Sequence, residues 1–134
     1  MIYLDSSALI KFVKVERESQ ELRTWRAELD TSVELLTSQL ATLEISRTLF
    51  RAGVQHDRVP YVVGQALRGL YIADVTSTVL ARARSYGTRW LGSLDAIHLA
   101  TADPFRPELT DLVTYDMELA SAAAELGIAV MTPR

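Results

Sequence analysis

The chain has 134 residues, no cysteine and a formal net charge of −3. A hydrophobic fraction of 49% excludes an intrinsically disordered chain, and no apolar run reaches the roughly 18 residues that a membrane-spanning helix needs. Without cysteine the chain can form neither a disulfide nor a zinc–thiolate site, and no secretory signal is visible before the first strand, so we expect a cytoplasmic protein. The length predicts a single domain covering residues 1–134.

Short aliphatic runs alternate with longer helical stretches along the chain. Strands are predicted at Ile2–Asp5, Val33–Ser38, Leu70–Asp74, Asp111–Thr114 and Ile128–Met131. Helices are predicted at Ser7–Val13, Glu18–Leu29, Gln39–Ala52, Arg58–Arg68, Ser77–Tyr86, Leu94–Thr101 and Met117–Leu126. This alternation predicts an α/β fold with three layers, in which a mostly parallel sheet lies between two layers of helices.

Residues that favour helix ends support these boundaries. Gly53, Gly87 and Gly127 follow predicted helices, where glycine commonly adopts the left-handed conformation that ends a helix. Ser93 precedes the sixth predicted helix and is a candidate to cap its first turn.

Acidic residues occupy positions that a metal-dependent nuclease needs: Asp5, Glu44, Asp95 and Asp116. Asp5 ends the first predicted strand and Asp116 follows the fourth, so both lie at the carboxyl ends of strands, where α/β folds place their sites. Two carboxylates about 5 Å apart repel by roughly 3 kcal/mol. A hard divalent cation removes that conflict, and the sequence therefore predicts a magnesium site.

Each of these acids also has a purely structural explanation. Asp5 and Asp116 are good N-caps for the helices that follow them, and Asp95 interacts favourably with the dipole of its helix. Glu44 can pair with an arginine one helical turn further on. These alternatives stay open for each residue taken alone.

His98 shares a helix face with Asp95, but magnesium prefers oxygen ligands and a metal role for this imidazole is disfavoured.

Two groups of basic residues are candidates for contacts with a nucleic acid. Arg47 and Arg51 follow Glu44 on one polar stripe of the third predicted helix, where they can bind RNA phosphates. Lys11, Lys14 and Arg17 can form a second basic edge. Solvated surface residues are the alternative for all of them. Because the whole chain is acidic, binding to RNA has to depend on such a local patch or on metal ions.

Several segments resemble PIN-domain proteins, and among them the VapC-type toxins of bacterial toxin–antitoxin pairs. The segments are Met1–Leu9, Leu43–Glu44, Leu94–Ala102 and Leu112–Ala120. The resemblance implies a PIN-like domain with a five-stranded parallel sheet and a Mg²⁺- or Mn²⁺-dependent endoribonuclease. It places the catalytic and metal-binding acids at Asp5, Glu44, Asp95 and Asp116.

The same resemblance implies two supporting side chains and two partners. It assigns the hydroxyls of Ser7 and Thr114 to positions that hold the acidic groups. It implies a small cognate antitoxin of the VapB type, whose C-terminal segment covers the site, and a homodimer. RNA is the substrate that the resemblance implies, without indicating which RNA is cut.

Two other functions remain as alternatives. A PIN-like domain can bind RNA or protein without cleaving it. A receiver-like signalling domain, in which a strand-end aspartate accepts phosphate, also has a five-stranded parallel sheet, but it needs paired acids after the first strand and a lysine after the last. Here Asp5 is followed by two serines, and no lysine occurs after Lys14.

Overall fold

The computed structural model describes all residues 1–134 and contains one sheet of five parallel strands. The strands are β1 Ile2–Leu4, β2 Leu35–Ser38, β3 Leu70–Ala73, β4 Asp111–Val113 and β5 Val130–Met131. Their spatial order is β3-β2-β1-β4-β5, so β1 is central and Tyr3 lies between Leu36 and Leu112. All five predicted strands are present, each one or two residues shorter than predicted.

Seven α-helices connect and cover the strands. They are α1 Ser6–Leu9, α2 Ser19–Glu28, α3 Leu40–Arg51, α4 Val59–Ala66, α5 Ser77–Ser85, α6 Ser93–Ala102 and α7 Met117–Glu125. Short 3₁₀ helices follow α1 and α6 at Ile10–Phe12 and Asp103–Phe105. The first predicted helix is therefore one α-helical turn that continues as a tighter 3₁₀ turn. None of these helices combines the length and apolar character needed to cross a bilayer.

The alternation of side chains along β1 divides the core into two parts. Ile2 and Leu4 face one way and pack with helices α1 to α4, whereas Tyr3 faces the other way and packs with α6 and α7. All three side chains are buried, as expected for the central strand of a parallel sheet that is covered on both faces. The predicted three-layer α/β/α arrangement is confirmed.

The strand order fixes where a site can form. From β1 the chain first adds β2 and β3 on one side, and then crosses to add β4 and β5 on the other. The switch point therefore lies between β1 and β4, and the crevice beyond their carboxyl ends is the expected site. This order also differs from the 2-1-3-4-5 order of receiver-like folds, which removes the receiver alternative.

Helix ends were predicted with mixed success. Gly53 and Gly127 adopt positive φ angles of 84° and 78° after α3 and α7, as expected for glycines that end helices. Gly87 also follows the end of its helix, as predicted, but it has no positive φ because the preceding residue already leaves α5 in an extended conformation. Ser93 is the first residue of α6 rather than its cap. The N-cap position belongs to Gly92, which provides no side-chain hydrogen bond.

Candidate active site

Asp5 lies directly after β1 at the switch point and is only 2% exposed. Its Oδ1 accepts hydrogen bonds from the Ser7 hydroxyl at 2.6 Å and from the Ala8 backbone N–H at 3.1 Å. Its Oδ2 accepts from the Thr114 hydroxyl at 2.6 Å. Burial raises the pKa of Asp5, and the nearby His98 and these hydrogen bonds oppose that rise. Asp5 therefore caps α1, as the structural alternative predicted, and also lies at the centre of the site.

The hydroxyls of Ser7 and Thr114 join the end of β1 to the end of β4. They lie 3.4 Å apart. The Ser7 hydroxyl also accepts from the Tyr115 backbone N–H at 2.9 Å, and the Thr114 hydroxyl accepts from the Asp116 N–H at 3.0 Å. Two strand ends that are distant in sequence are thus fixed to one another around the Asp5 carboxylate.

Asp116 and Asp95 approach the same place from the N-termini of two helices. Asp116 caps α7, and its Oδ1 accepts from the N–H groups of Glu118 and Leu119 at 2.9 and 3.0 Å. Asp95 lies in the first turn of α6 and accepts no hydrogen bond from the protein. Partial burial, followed by the negative charges of Asp116 and Asp5, raises the pKa of Asp95 to about 6. Burial is the larger cause of the shift, and the charge contributions place Asp95 within electrostatic reach of Asp116 and Asp5.

Glu44 on α3 reaches the site from a third direction, where its partner is a histidine. Its Oε1 lies 2.6 Å from Nε2 of His98, and the His98 Nδ1 lies 2.6 Å from the hydroxyl of Tyr3. Glu44 forms no ion pair with Arg47, so the i,i+3 pair offered as the structural explanation of Glu44 was wrong. His98 and Tyr3 are 1% and 0% exposed. The chain of hydrogen bonds from Tyr3 through His98 to Glu44 therefore runs from the core to the site.

None of the four acids forms an ion pair with lysine or arginine, and the one basic side chain in contact with them is His98, beside Glu44. Elsewhere the fold does neutralise a buried acid. Asp103 contacts Arg82 at 3.3 Å and Arg106 at 2.8 Å. Buried charges are normally paired or bound to metals. The unpaired acids at the switch point therefore form the electrostatically unusual part of the molecule.

The basic residues predicted to contact RNA differ in their accessibility. Lys11 is 7% exposed and its ammonium group lies 3.5 Å from Glu16 and 3.3 Å from Glu18. It also lies over the ring of Tyr115, 4.6 Å from the ring centroid. The proposed second basic edge was therefore wrong for Lys11, which is buried because its loop provides two acidic partners.

Arg47 and Arg51, in contrast, are exposed. They line a groove of about 220 Å³ beside Glu44, together with Leu43 and Leu94, and neither forms an ion pair. Leu43 and Leu94 are 57% and 50% exposed. A larger apolar groove of about 370 Å³ lies between α5 and α6 but contains none of the four acids. The smaller groove combines positive charge and apolar surface next to the site.

The carboxylate oxygens of the site suit a hard cation that keeps part of its water shell, rather than a cation bound by protein ligands alone. No group of three acidic or histidine side chains is close enough to hold an ion through direct bonds alone. However, Glu44 Oε2, Asp116 Oδ2 and both Asp95 oxygens accept no hydrogen bond from the protein. Magnesium keeps several waters and binds through one or two carboxylates and substrate phosphates. The chemistry of these oxygens therefore fits Mg²⁺.

Comparison with known proteins identifies the family. The PIN domain pattern matches residues 2–125, and the chain therefore belongs to the PIN domain family. It is similar to Ribonuclease VapC47 of Mycobacterium tuberculosis, with 41% identity over 136 residues that cover 99% of this chain and 97% of that protein. The predicted resemblance to VapC-type PIN proteins is confirmed.

Solved structures agree on the fold. The Mycobacterium tuberculosis toxin VapC20, described as cleaving the sarcin–ricin loop, matches with a TM-score of 0.74 and 16% identity, over 91% of this chain and 95% of that one. A toxin–antitoxin complex from Klebsiella pneumoniae contains a chain with a TM-score of 0.67 and 17% identity, over 100% and 98%. At these identities the two structures establish the fold alone.

Sequence reasoning missed the contribution of Tyr3 and underestimated that of His98. The available signal was a tyrosine in a fully buried strand, because a buried tyrosine hydroxyl usually has a hydrogen-bond partner. The spacing of Asp95 and His98 on one helix face was a second signal. The partner of His98 was not visible, because Glu44 is 54 residues away in sequence.

Proposed function

We propose that this protein is a Mg²⁺-dependent endoribonuclease toxin that a cognate antitoxin neutralises, with Mn²⁺ as an alternative ion. The observation that carries the proposal is the electrostatic coupling of Asp95 to Asp116, Asp5 and Glu44, none of which forms an ion pair with lysine or arginine. The identity of 41% with a ribonuclease along nearly the whole chain supports the same activity.

Three aspartates would hold the ion, partly through water. Asp95 and Asp116 offer free oxygens, whereas both oxygens of the buried Asp5 accept hydrogen bonds from protein donors. When bound, the ion supplies positive charge that stabilises the phosphodiester group during hydrolysis. Ser7 and Thr114 keep Asp5 in one orientation, and this fixed arrangement reduces the reorganisation that cleavage would otherwise require.

Glu44 would orient a water molecule or help hold a second ion, and the neighbouring groove would bind the substrate. One oxygen of Glu44 is held by His98, which leaves the other free to orient an attacking water or to help hold a second ion. Arg47 and Arg51 line the same groove and would bind RNA phosphates near the cut bond. A strip of positive charge of this kind allows a protein with a net charge of −3 to bind a polyanion.

The proposed regulator is a small VapB-type antitoxin. The similarity to VapC toxins and to a toxin–antitoxin complex supports this partner. Carboxylates that form no ion pair with lysine or arginine are complementary to an arginine from a second chain, which would occupy the position of the ion and block the site. We also propose a homodimer, on the basis of the same family membership.

Sequencing of RNA ends tests the nuclease proposal. Wild-type protein and the Asp95→Asn variant are induced in cells, and the cut ends of total RNA are sequenced. Asp95 is the sharpest choice because it accepts no hydrogen bond that the fold needs. Asp57→Asn is the matched control, because Asp57 is exposed and lies outside the site. We expect new ends with the wild type and the control, and none with Asp95→Asn.

Two results would contradict this expectation. If Asp95→Asn cuts RNA like the wild type in the presence of Mg²⁺, the acids do not perform the chemistry. If the wild type produces no new ends but still binds RNA or protein, the domain is a catalytically silent member of its family.

A further inference from the structure

We propose that Tyr3 and His98 act as positioning residues, with Tyr3 selecting the histidine tautomer that donates a hydrogen bond to Glu44. The inference rests on the proposed function, because it assigns a task within the same site. It depends on one continuous line of contacts from the Tyr3 hydroxyl through both ring nitrogens of His98 to the Glu44 carboxylate.

The geometry of this line is close and protected from water. Both hydrogen bonds have donor–acceptor distances of 2.6 Å, at the short end for bonds to nitrogen. The rings of Tyr3 and His98 meet edge-on, with centroids 5.9 Å apart and planes at 76°. The side chain of Glu44, in contrast, is 22% exposed. A rigid and buried pair therefore holds the inner end of a carboxylate whose outer end faces the site.

The chemistry of Tyr3 determines which atom carries each proton. The phenolic hydroxyl of Tyr3 is a hydrogen-bond donor, and it lies 2.6 Å from Nδ1 of His98. That hydroxyl can donate to His98 Nδ1. A neutral imidazole whose Nδ1 accepts carries its own proton on Nε2, and Nε2–H then donates to Glu44 Oε1.

The other neutral tautomer of His98, protonated on Nδ1, would change its contact with Glu44. If Nδ1 carried the ring proton, Nε2 would be an acceptor facing a second acceptor, Glu44 Oε1, at 2.6 Å with no proton between them. By donating to Nδ1, Tyr3 favours the tautomer whose Nε2–H donates to the Glu44 carboxylate. Its Oε1 is held by His98 and its Oε2 is left for water or an ion.

Kinetics on defined variants provides the first test. The substrate is a synthetic RNA that spans the site cut most often by the wild type in the end-sequencing experiment. We expect His98→Ala to lower kcat by about 10–100-fold with KM unchanged, as is typical when a group that orients a metal ligand is lost. His98→Gln should recover much of that loss, because its amide N–H can donate to Glu44. Tyr3→Phe should lower kcat by about 10-fold.

Tyr86→Phe is the matched control. Tyr86 also donates its hydroxyl to a buried carboxylate, that of Asp103, at 2.9 Å. The exchange therefore removes a comparable hydrogen bond at a distance from the four acids. We expect Tyr86→Phe to change the melting temperature and leave kcat unchanged. If Tyr86→Phe lowers kcat as much as Tyr3→Phe does, a general loss of packing explains both and the inference is wrong.

A metal-free measurement tests the tautomer itself. The ¹⁵N shifts of the His98 ring are recorded by NMR at alkaline pH, where imidazoles are neutral. The wild type should carry its proton on Nε2, and Tyr3→Phe should move population toward the form protonated on Nδ1. A wild-type ring protonated on Nδ1 overturns the inference, and this result stands even if a variant fails to fold.

The two proposals can fail separately. If Asp95→Asn is inactive while His98→Ala cuts at the wild-type rate, the nuclease proposal survives and the positioning role of His98 is wrong. If Asp95→Asn is fully active, the nuclease proposal itself fails, whatever the tautomer of His98.

Discussion

Replacement of Asp95 by asparagine in metal-free protein should stabilise the fold. Asp95 is half-buried, accepts no hydrogen bond from the protein and lies near the negative charges of Asp116 and Asp5. Asparagine has nearly the same shape and carries no charge. The exchange therefore removes the repulsion while leaving the packing of α6 in place.

The size of the effect follows from the pKa of Asp95, which rises from 3.8 to about 6. A rise of about two pH units corresponds to roughly 2.7 kcal/mol, and solvent screening of a half-exposed group reduces this to about 1.5 kcal/mol. Asparagine also loses a favourable interaction with the dipole of α6, about 0.5 kcal/mol. The net gain is about 1 kcal/mol, or roughly 4 °C in melting temperature for a chain of this size.

The sign of the pH dependence provides an internal check. Because folding raises the pKa of Asp95, the folded state binds this proton more tightly than the unfolded chain does. Acidification from pH about 6 to about 4 should therefore relieve the destabilisation in the wild type. The advantage of Asp95→Asn should be complete above pH about 6 and should disappear near pH about 4. The difference between the two proteins isolates Asp95 from the other titrating groups.

Thermal unfolding, followed by circular dichroism in EDTA and in Mg²⁺, measures these effects. Mg²⁺ should raise the melting temperature of the wild type more than that of Asp95→Asn, because only the wild type has the full set of ligands. A lower melting temperature for Asp95→Asn in EDTA at neutral pH would refute the reasoning. Asp95 would then stabilise α6 by its interaction with the helix dipole, which is the structural explanation given for this residue above.

Three further predictions concern other parts of the molecule. Thr114→Val should lower the free energy of unfolding by about 1–3 kcal/mol in urea titrations, because the buried Asp5 loses a donor; an unchanged value would contradict this role. Lys11→Met should cost about 1–3 kcal/mol, since it leaves two acidic partners without their cation, and RNA cleavage by the folded variant should be unaffected. The double variant Arg47→Ala, Arg51→Ala should raise KM for RNA. The slope of log affinity against log salt concentration should be smaller in magnitude by about 2, and an unchanged slope would exclude phosphate contacts.

Much of the fold was predictable because its signals are local. The buried strands are short aliphatic runs, and the helices that cover them carry apolar residues at helical spacing. The boundaries that failed depend on finer local geometry. The helix predicted from Ser7 tightens into a 3₁₀ turn at Ile10–Phe12, and α6 begins one residue before the predicted helix, with Gly92 rather than Ser93 as its cap.

The candidate site was predictable in its acids but not in their partners. Asp5 and Asp116 follow strands, so strand order alone brings them near one edge of the sheet. The hydrogen bond between Glu44 and His98 depends on how α3 packs beside α6, which no local pattern reveals. The contact of Lys11 with the ring of Tyr115 likewise joins two segments that are distant in sequence.

The bond between Thr114 and Asp5 joins residues 109 positions apart, and this separation has a consequence during protein synthesis. Asp5 leaves the ribosome long before β4 and the start of α7 are synthesised. The proposed catalytic centre is therefore incomplete in a nascent chain until Asp116 has emerged. A translation stop anywhere before Asp116 would release a polypeptide that lacks one of the four acids of the proposed centre.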